Sequence, residues 1–141
     1  FFFRYCVNTM KLLHSKTWIE PLVVATMCEK MDVVALATKN KIMLHNTQSF
    51  QRLFMLDTLH EVTTLSWSPN GKLLVAGFSN GDVHLYQVED GQCIVEFKAA
   101  TPDVSSSSTC LHCHTAPITG LYWVDARLPV GALDRAEGVL L

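Results

Sequence analysis

Residues 61–97, EVTTLSWSPNGKLLVAGFSNGDVHLYQVEDGQCIVEF, decide the fold of this chain. They contain four short runs rich in β-branched and aromatic residues, which are typical of strands, at 62–67, 73–78, 82–88 and 92–98. Three turn segments connect the runs and carry residues that tolerate positive φ in tight hairpins: Pro69-Asn70-Gly71, Asn80-Gly81 and Asp90-Gly91. Consecutive hairpins predict a four-stranded antiparallel sheet.

The same pattern occurs a second time, earlier in the chain. Residues 32–38 align with 72–78 at an offset of 40, and residues 42–45 align with 83–86 at an offset of 41. One residue has been lost from a turn between the two segments. A period of about 40 to 45 residues in four-strand units is typical of the blades of a β-propeller.

A third copy begins at Pro117, where PITGLYW repeats EVTTLSW. Trp123 therefore falls 56 residues after Trp67. The extra length lies in residues 99–115, AATPDVSSSSTCLHCHT, whose serine run and lack of apolar periodicity predict an inserted loop.

The repeats predict an all-β chain that forms an incomplete β-propeller. It has two four-stranded antiparallel blades, at 21–56 and 61–99, and the start of a third at 117. The predicted division is an N-terminal extension that leads into the first strand (1–20), a partial propeller (21–125) and an irregular tail (126–141). An immunoglobulin-like sandwich also has short strands and frequent turns, but it does not need its strands to recur at a fixed period. Because two blades cannot close a ring and leave a strand edge unpaired, we expect the chain to be a fragment.

Alternation along the strand at 62–67 predicts which side chains meet the neighbouring blade. Leu65 and Trp67 share the face expected to pack there, and Val62 lies on the opposite face. Phe54 is expected in the blade core. Phe50 precedes the fourth strand of the first copy, where the second copy has Gly91, so we expect an exposed ring and a candidate partner contact.

The composition excludes several classes of protein. With 49% hydrophobic residues, 17% charged residues and a net charge of -2, the chain is globular and not basic, so nucleic acid is not an expected partner. No apolar stretch reaches the roughly 18 residues of a membrane helix. Five cysteines without a regular spacing argue against a disulfide-stapled secreted domain and predict an intracellular, reducing compartment.

The sequence predicts no catalytic, cofactor-binding or metal-binding residue and no small-molecule substrate. A cluster of thiols and imidazoles, Cys110, His112, Cys113 and His114, has no second ligand pair to close a tetrahedron, so we interpret it as a solvated loop between blades. His60 and Glu61 lack a nucleophile in a recognisable elbow. The isolated turn glycines do not form a phosphate loop.

The run WSPNGKLL resembles the WD repeat. In that family a His, a Ser or Thr, an Asp after the second strand and a Trp-Asp pair after the third form a hydrogen-bonded tetrad. Here Asn80 stands in the turn and Tyr86-Gln87 replaces the pair, while the first copy has Asn40 and His45-Asn46, so the resemblance implies degenerate repeats. The residues that the resemblance marks as structural are His60, Trp67, Pro69, Gly71, Asn80, Gly81, Tyr86 and Trp123.

From about 11 to 125 the chain is similar to the amino-terminal propellers of the anaphase-promoting complex subunit 4 family. The similarity rests on MDVVALATKN, SFQRLF and a third copy that opens with API and LYW. It implies a non-catalytic scaffold subunit of a multisubunit ubiquitin ligase that controls exit from mitosis, in nucleus and cytoplasm, with other protein subunits as partners. A generic WD-repeat adaptor of another assembly is the alternative.

Overall fold

The computed structural model describes residues 2–6, 11–17, 19–28, 30–98, 116–124 and 139–140. All regular elements in these ranges are strands. In chain order they are β1 Phe2–Cys6, β2 Lys11–Lys16, β3 Val24–Cys28, β4 Val33–Thr38, β5 Lys41–Asn46, β6 Arg52–Asp57, β7 Val62–Trp67, β8 Leu73–Phe78, β9 Val83–Gln87, β10 Cys93–Phe97, β11 Trp123–Val124 and β12 Val139–Leu140. Within the same ranges no helix is long and apolar enough to cross a bilayer.

Two four-stranded antiparallel sheets form the centre of the molecule. β3 to β6 make the first sheet, here termed blade one, and β7 to β10 make the second, termed blade two; in both, neighbours in the chain are neighbours in the sheet. The predicted all-β fold with two antiparallel blades is confirmed. β7 and β8 have the predicted bounds, and β9 and β10 are each one residue shorter at both ends than predicted.

The turn at Gly71 shows why glycine is needed there. Its φ is 75°, which L side chains rarely adopt. A Cβ at this position would lie 2.6 Å from Met31 Cγ and 2.7 Å from Cys28 Sγ. The β7–β8 turn therefore packs so closely against blade one that only glycine fits.

Blade one and blade two pack face to face through alternate residues of their inner strands. One apolar cluster joins the two sheets, and its fully buried members include Ala35, Ala37, Ile42 and Leu44 from blade one and Leu74, Ala76 and Phe78 from blade two. Leu65 belongs to this cluster and Trp67 packs on it. The Trp67 indole N–H also donates a hydrogen bond to the Thr26 carbonyl oxygen at 3.2 Å. The prediction that Leu65 and Trp67 contact the neighbouring blade is confirmed.

A bulge in β7 overturns the predicted side for Val62. The register shifts between Val62 and Thr64, so Val62 opposes Phe78 while Leu65 opposes Ala76. The extra residue, Thr63, reverses the alternation, and Val62 is fully buried in the same cluster as Leu65.

The third copy lies on the other face of blade two. Ile118 and Leu121 are buried against Val75 and Val83. The Ile118 N–H donates to the Phe78 carbonyl at 3.1 Å, and the Thr63 hydroxyl donates to the Ile118 carbonyl at 2.6 Å. The bulge therefore also provides the hydroxyl that ties the next repeat to blade two.

Both ends of the chain contain short strands. In the predicted N-terminal extension, β1 and β2 form a separate antiparallel hairpin with Phe2 opposite Lys16. In the predicted irregular tail, β12 pairs with β11, placing Leu140 opposite Trp123. Two residues of the tail, an apolar Val-Leu pair, thus form a short strand. Residues 125–138 and the loop at 99–115 lie outside the described residues.

Candidate functional site

A groove of about 570 Å³ lies where the β6–β7 connection passes the outer strands of blade two. We term it the linker groove. Its walls are the connection itself, from Asp57 to His60, the β8–β9 turn at Asn80 and Asp82, and side chains of β9 and β10.

The β6–β7 connection is attached to blade one at its base. The Thr58 N–H donates to the Asn40 carbonyl at 2.9 Å, and the Thr58 hydroxyl donates to the His60 carbonyl at 3.0 Å. The side chains of Leu59 and His60 stay exposed, with Leu59 94% accessible. The connection thus presents an apolar and an imidazole side chain on an anchored backbone.

The β8–β9 turn uses its polar side chains internally. The Asn80 amide donates to Asp82 Oδ2 at 2.7 Å, and Asn80 Oδ1 accepts the Asp82 N–H at 3.1 Å. This is an Asx turn, in which the side chain of the first residue replaces a backbone partner. Gly81, with φ of 92°, completes the turn and donates its N–H to the Phe78 carbonyl at 3.2 Å.

Tyr86 and His84 form the floor of the linker groove. They lie two residues apart on β9, on the face toward blade one, and the Tyr86 hydroxyl is 3.2 Å from His84 Nδ1. Burial, with smaller effects from Cys93 and Glu96, raises the pKa of Tyr86 to about 12. Burial also lowers the pKa of His84, partly opposed by the Glu96 and Asp82 carboxylates. Imidazole and phenol are therefore both neutral at pH 7.

Three positions that the WD-repeat resemblance marks, His60, Asn80 and Tyr86, line this groove, but Asn80 and Tyr86 have other partners than a tetrad would give them. Asn80 bonds to Asp82, Tyr86 faces His84, and the side chain of His60 is exposed. The structure thus brings His60, Asn80 and Tyr86 together without linking them. Local pairs replace the tetrad in blade two.

The other residues marked by the repeat lie outside the groove. Trp67 and Gly71 contact blade one, and Pro69 is exposed at the tip of the β7–β8 turn. Trp123 is half-buried and packs on the cluster that holds the third copy. These residues support the stacking of repeats and do not form a site with the others.

Phe50 is half-buried, where the sequence suggested an exposed ring. Its φ is 56°, and this left-handed backbone directs the ring onto Val34, Leu36 and Met43. The ring also stacks on His45 with centroids 5.2 Å apart. Phe54 is half-buried against the inter-blade cluster, as expected for a core residue.

One group of side chains in the groove escapes analysis of the sequence alone. A ring nitrogen of His84, the Sγ of Cys93 and a carboxylate oxygen of Glu96 lie within 4.8 Å of one another. The register of the β9–β10 hairpin places Glu96 opposite His84 and Cys93 opposite Tyr86. Only a hairpin alignment of β9 with β10 could have revealed this proximity. The Cys110, His112, Cys113 and His114 cluster lies outside the described residues.

Two four-stranded antiparallel blades stacked face to face, with a third repeat docked on the second, define a WD-repeat propeller domain. A family model described as the anaphase-promoting complex subunit 4 WD40 domain matches residues 25–126. The chain belongs to this family, since the match covers most of its length.

Several curated relatives are similar to this chain, and most of them carry the family's name. Anaphase-promoting complex subunit 4 of Homo sapiens is 28% identical over 116 residues, which are 78% of this chain and 14% of the relative. The Schizosaccharomyces pombe protein is 30% identical over 81 residues, 56% of this chain and 11% of the relative. Abnormal embryogenesis protein 30 of Caenorhabditis elegans is 28% identical over 113 residues, 70% of this chain and 11% of the relative. The chain thus spans a small part of each relative's length.

A solved WD40-type structure has the same fold. Sqt1 of Saccharomyces cerevisiae superposes with a TM-score of 0.67 over 92% of this chain and 31% of that protein, at 18% identity. At this identity the likeness concerns the fold alone.

Proposed function

We propose that this chain is part of a non-catalytic scaffold subunit of the anaphase-promoting complex, a multisubunit ubiquitin ligase that controls exit from mitosis. The observation that carries the proposal is the family match over residues 25–126. In this role the propeller binds other protein subunits and performs no chemistry of its own.

The stacked blades suit a binding scaffold because their exposed parts are held on a rigid base. The inter-blade cluster and the Trp67–Thr26 hydrogen bond fix the two sheets against each other. Large apolar side chains are exposed on the connections, with Leu59 94% and Tyr122 72% accessible. Anchors that are already ordered lose little entropy on binding, which favours association.

Among the described residues a catalytic role has one candidate, the Cys93, His84 and Glu96 group, and its electrostatics oppose that role. Cysteine nucleophiles need a lowered pKa so that the thiolate is present. Burial, reinforced by the Glu96 carboxylate, raises the pKa of Cys93 instead. WD40 propellers are generally non-enzymatic, and we propose the same for this chain.

We further propose that the protein acts in the nucleus and cytoplasm. Cys28 and Cys93 are free thiols, in keeping with a reducing compartment. The alternative, a generic WD-repeat adaptor of another assembly, is supported by the shared fold alone.

The test is to tag the full-length protein in its own cells and identify co-purifying proteins by mass spectrometry. Subunits of the anaphase-promoting complex should be recovered in near-equal amounts with the bait. Recovery of none of them, from bait that is soluble and folded, would overturn the proposal, and recovery of another stable assembly would favour the adaptor.

Two variants test which surface of the propeller contacts the partner subunits. We propose Phe50 as a partner contact because part of its ring is accessible at a turn, and Leu59 as a second. Phe50→Ala and Leu59→Ala should each reduce recovery of subunits, while Phe97→Ala on the outermost strand is the matched control. Thermal melting of each variant separates a lost contact from unfolding: a Phe50→Ala protein that binds normally, or one that is insoluble, refutes the contact at Phe50.

A further inference from the structure

We propose that His84, Cys93 and Glu96 bind a divalent metal ion, and that Zn²⁺ is the ion their ligand set favours. Imidazole nitrogen, thiolate sulfur and carboxylate oxygen are the three donor types of protein zinc sites. The site departs from the sequence-based expectation of no metal, and it is independent of the proposed scaffold function.

The β9–β10 hairpin brings the three donors together. Glu96 lies directly opposite His84 in the ladder, and Cys93 lies opposite Tyr86, two residues further along β9 and beyond a register shift in β10. Their donor atoms are within 4.8 Å of one another. Zn²⁺ binds such donors at about 2.0–2.3 Å. Because Cys93 and Glu96 are exposed, their side chains have room to rotate toward an ion.

The two ring nitrogens of His84 have different surroundings. Its Nδ1 lies 3.2 Å from the Tyr86 hydroxyl, while its buried Nε2 has no hydrogen-bond partner among the described residues. If the Nδ1–H donates to the Tyr86 oxygen, Nε2 carries a free lone pair. A second group that holds the other ring nitrogen is a regular feature of metal-binding histidines.

The linker groove leaves room for the remaining coordination position. The three donors line the groove, whose volume of about 570 Å³ admits water or a fourth ligand. Glu96 is paired with Lys98 at 3.6 Å, but both side chains are largely exposed, so the ion can displace this weak contact. Where zinc has three protein ligands, water takes the fourth position.

A bound ion would fasten the outermost strand to its neighbour. Every residue of β10 is exposed, and β9 is the strand to which it is paired. An ion shared between His84 on β9 and two β10 side chains would hold that edge in register. The site is therefore expected to stabilise a surface strand of blade two.

The test is a Co²⁺ titration of the full-length protein after its own metals are removed by a chelator. Binding at Cys93 should produce a thiolate-to-cobalt charge-transfer band that Zn²⁺ then abolishes. Cys93→Ser should remove this band and lower the bound Zn²⁺ by one ion per chain. Glu96→Gln should weaken binding, and Tyr86→Phe, which leaves the ligands in place, should do so by about 10- to 100-fold.

Matched variants make the result decisive. Glu89→Gln removes an exposed carboxylate outside the group and should change nothing. A Cys110→Ser and Cys113→Ser double variant should keep the Cys93-dependent band. If the wild type binds no Co²⁺, or if Cys93→Ser keeps the full band and the full Zn²⁺ content, the site is refuted. Because Cys93 and Glu96 are exposed, these variants report on the metal even if a His84→Asn protein fails to fold.

Discussion

The turn before the fourth strand has the same backbone geometry in blade one and blade two, but different residues form it. In blade one the Phe50 N–H donates to the Asn46 carbonyl at 2.9 Å, and in blade two the Gly91 N–H donates to the Gln87 carbonyl at 2.9 Å. Phe50 and Gly91 both have a left-handed backbone conformation, with φ of 56° and 72°. Blade one thus accepts a strained phenylalanine where blade two has glycine, because the ring gains packing on Val34, Leu36 and Met43.

The third strands differ in the same way. At equivalent positions blade one has the buried His45, whose Nδ1 lies 3.2 Å from the Phe50 carbonyl, and blade two has Tyr86, whose hydroxyl faces His84. Each blade therefore engages the polar group at this position in a local pair of its own. What the blades share is the backbone hydrogen bonding and the apolar face, so these, and not a tetrad, hold the repeats together.

The largest effect is expected where the two blades meet. Phe78 is 1% exposed at the centre of the shared cluster, and Phe78→Ala should lower the free energy of unfolding by about 3–5 kcal/mol. Denaturant unfolding of the variant measures this change. Phe97→Ala, at a position that is 49% exposed, should cost far less. Equal losses in the two variants would mean that the face-to-face cluster is not the source of stability.

A smaller loss of stability is expected where the third copy packs on blade two. A Cβ at Gly77 would lie 2.6 Å from Ile118 Cγ2 and 2.7 Å from Thr64 Cγ2. Gly77→Ala should therefore displace the third copy at a cost of roughly 1–3 kcal/mol. Hydrogen exchange should rise in residues 116–124 and stay unchanged in blade one.

Gly120→Ala is the matched control for this displacement. The atoms nearest to a Cβ there belong to the side chain of the exposed Tyr122, at 3.1 Å, which can turn aside. Equal hydrogen exchange in the two variants would argue against close docking at Gly77.

Exchanging residues between the two equivalent turns tests their shared geometry. Gly91→Ala should cost about 1–2 kcal/mol, because alanine is strained at a left-handed φ. At the equivalent turn Phe50→Gly should be more stable than Phe50→Ala, since both lose the ring but only glycine relieves the strain. Thermal unfolding of the three variants ranks them. A Phe50→Ala protein as stable as Phe50→Gly would show that the backbone at Phe50 is not strained.

The smallest effect on stability is expected from an ion pair of Lys41, a charge that blade two lacks at the equivalent position. Lys41 bonds to Glu20 at 3.1 Å and lowers the pKa of that carboxyl below 4.5, whereas Asp82 stands at the equivalent place in blade two. The pair stabilises the fold above the unfolded pKa, and this stability is lost as the pH falls through the lowered value. An NMR titration should show the Glu20 inflection below 4.5, moving up in Lys41→Met and not in Lys39→Met. An identical inflection in all three proteins would refute the pairing.

Hairpins and faces could be read from the sequence where the signal is local. The glycine turns at 71, 81 and 91 bound the strands of blade two, and alternation placed Leu65 and Trp67 against blade one. The sheet face on which the Val62 side chain lies could not be predicted, because a single bulged residue reverses the alternation. Phe50 was misjudged because packing outweighs the ordinary preference for glycine at positive φ. The proximity of His84 to Glu96 depends on strand register, which residue types alone do not determine.

The fluorescence of Trp67 and Trp123 can report separately on the two contacts between repeats. The Trp67 indole bonds to Thr26 across the first seam, the contact between blade one and blade two. The Trp123 indole lies in the second seam, between blade two and the third copy, where its Nε1 is buried. Each ring moves into water when its seam opens, so its emission shifts to the red. With the other indoles replaced, two single-tryptophan proteins would show whether the repeats separate together or one at a time.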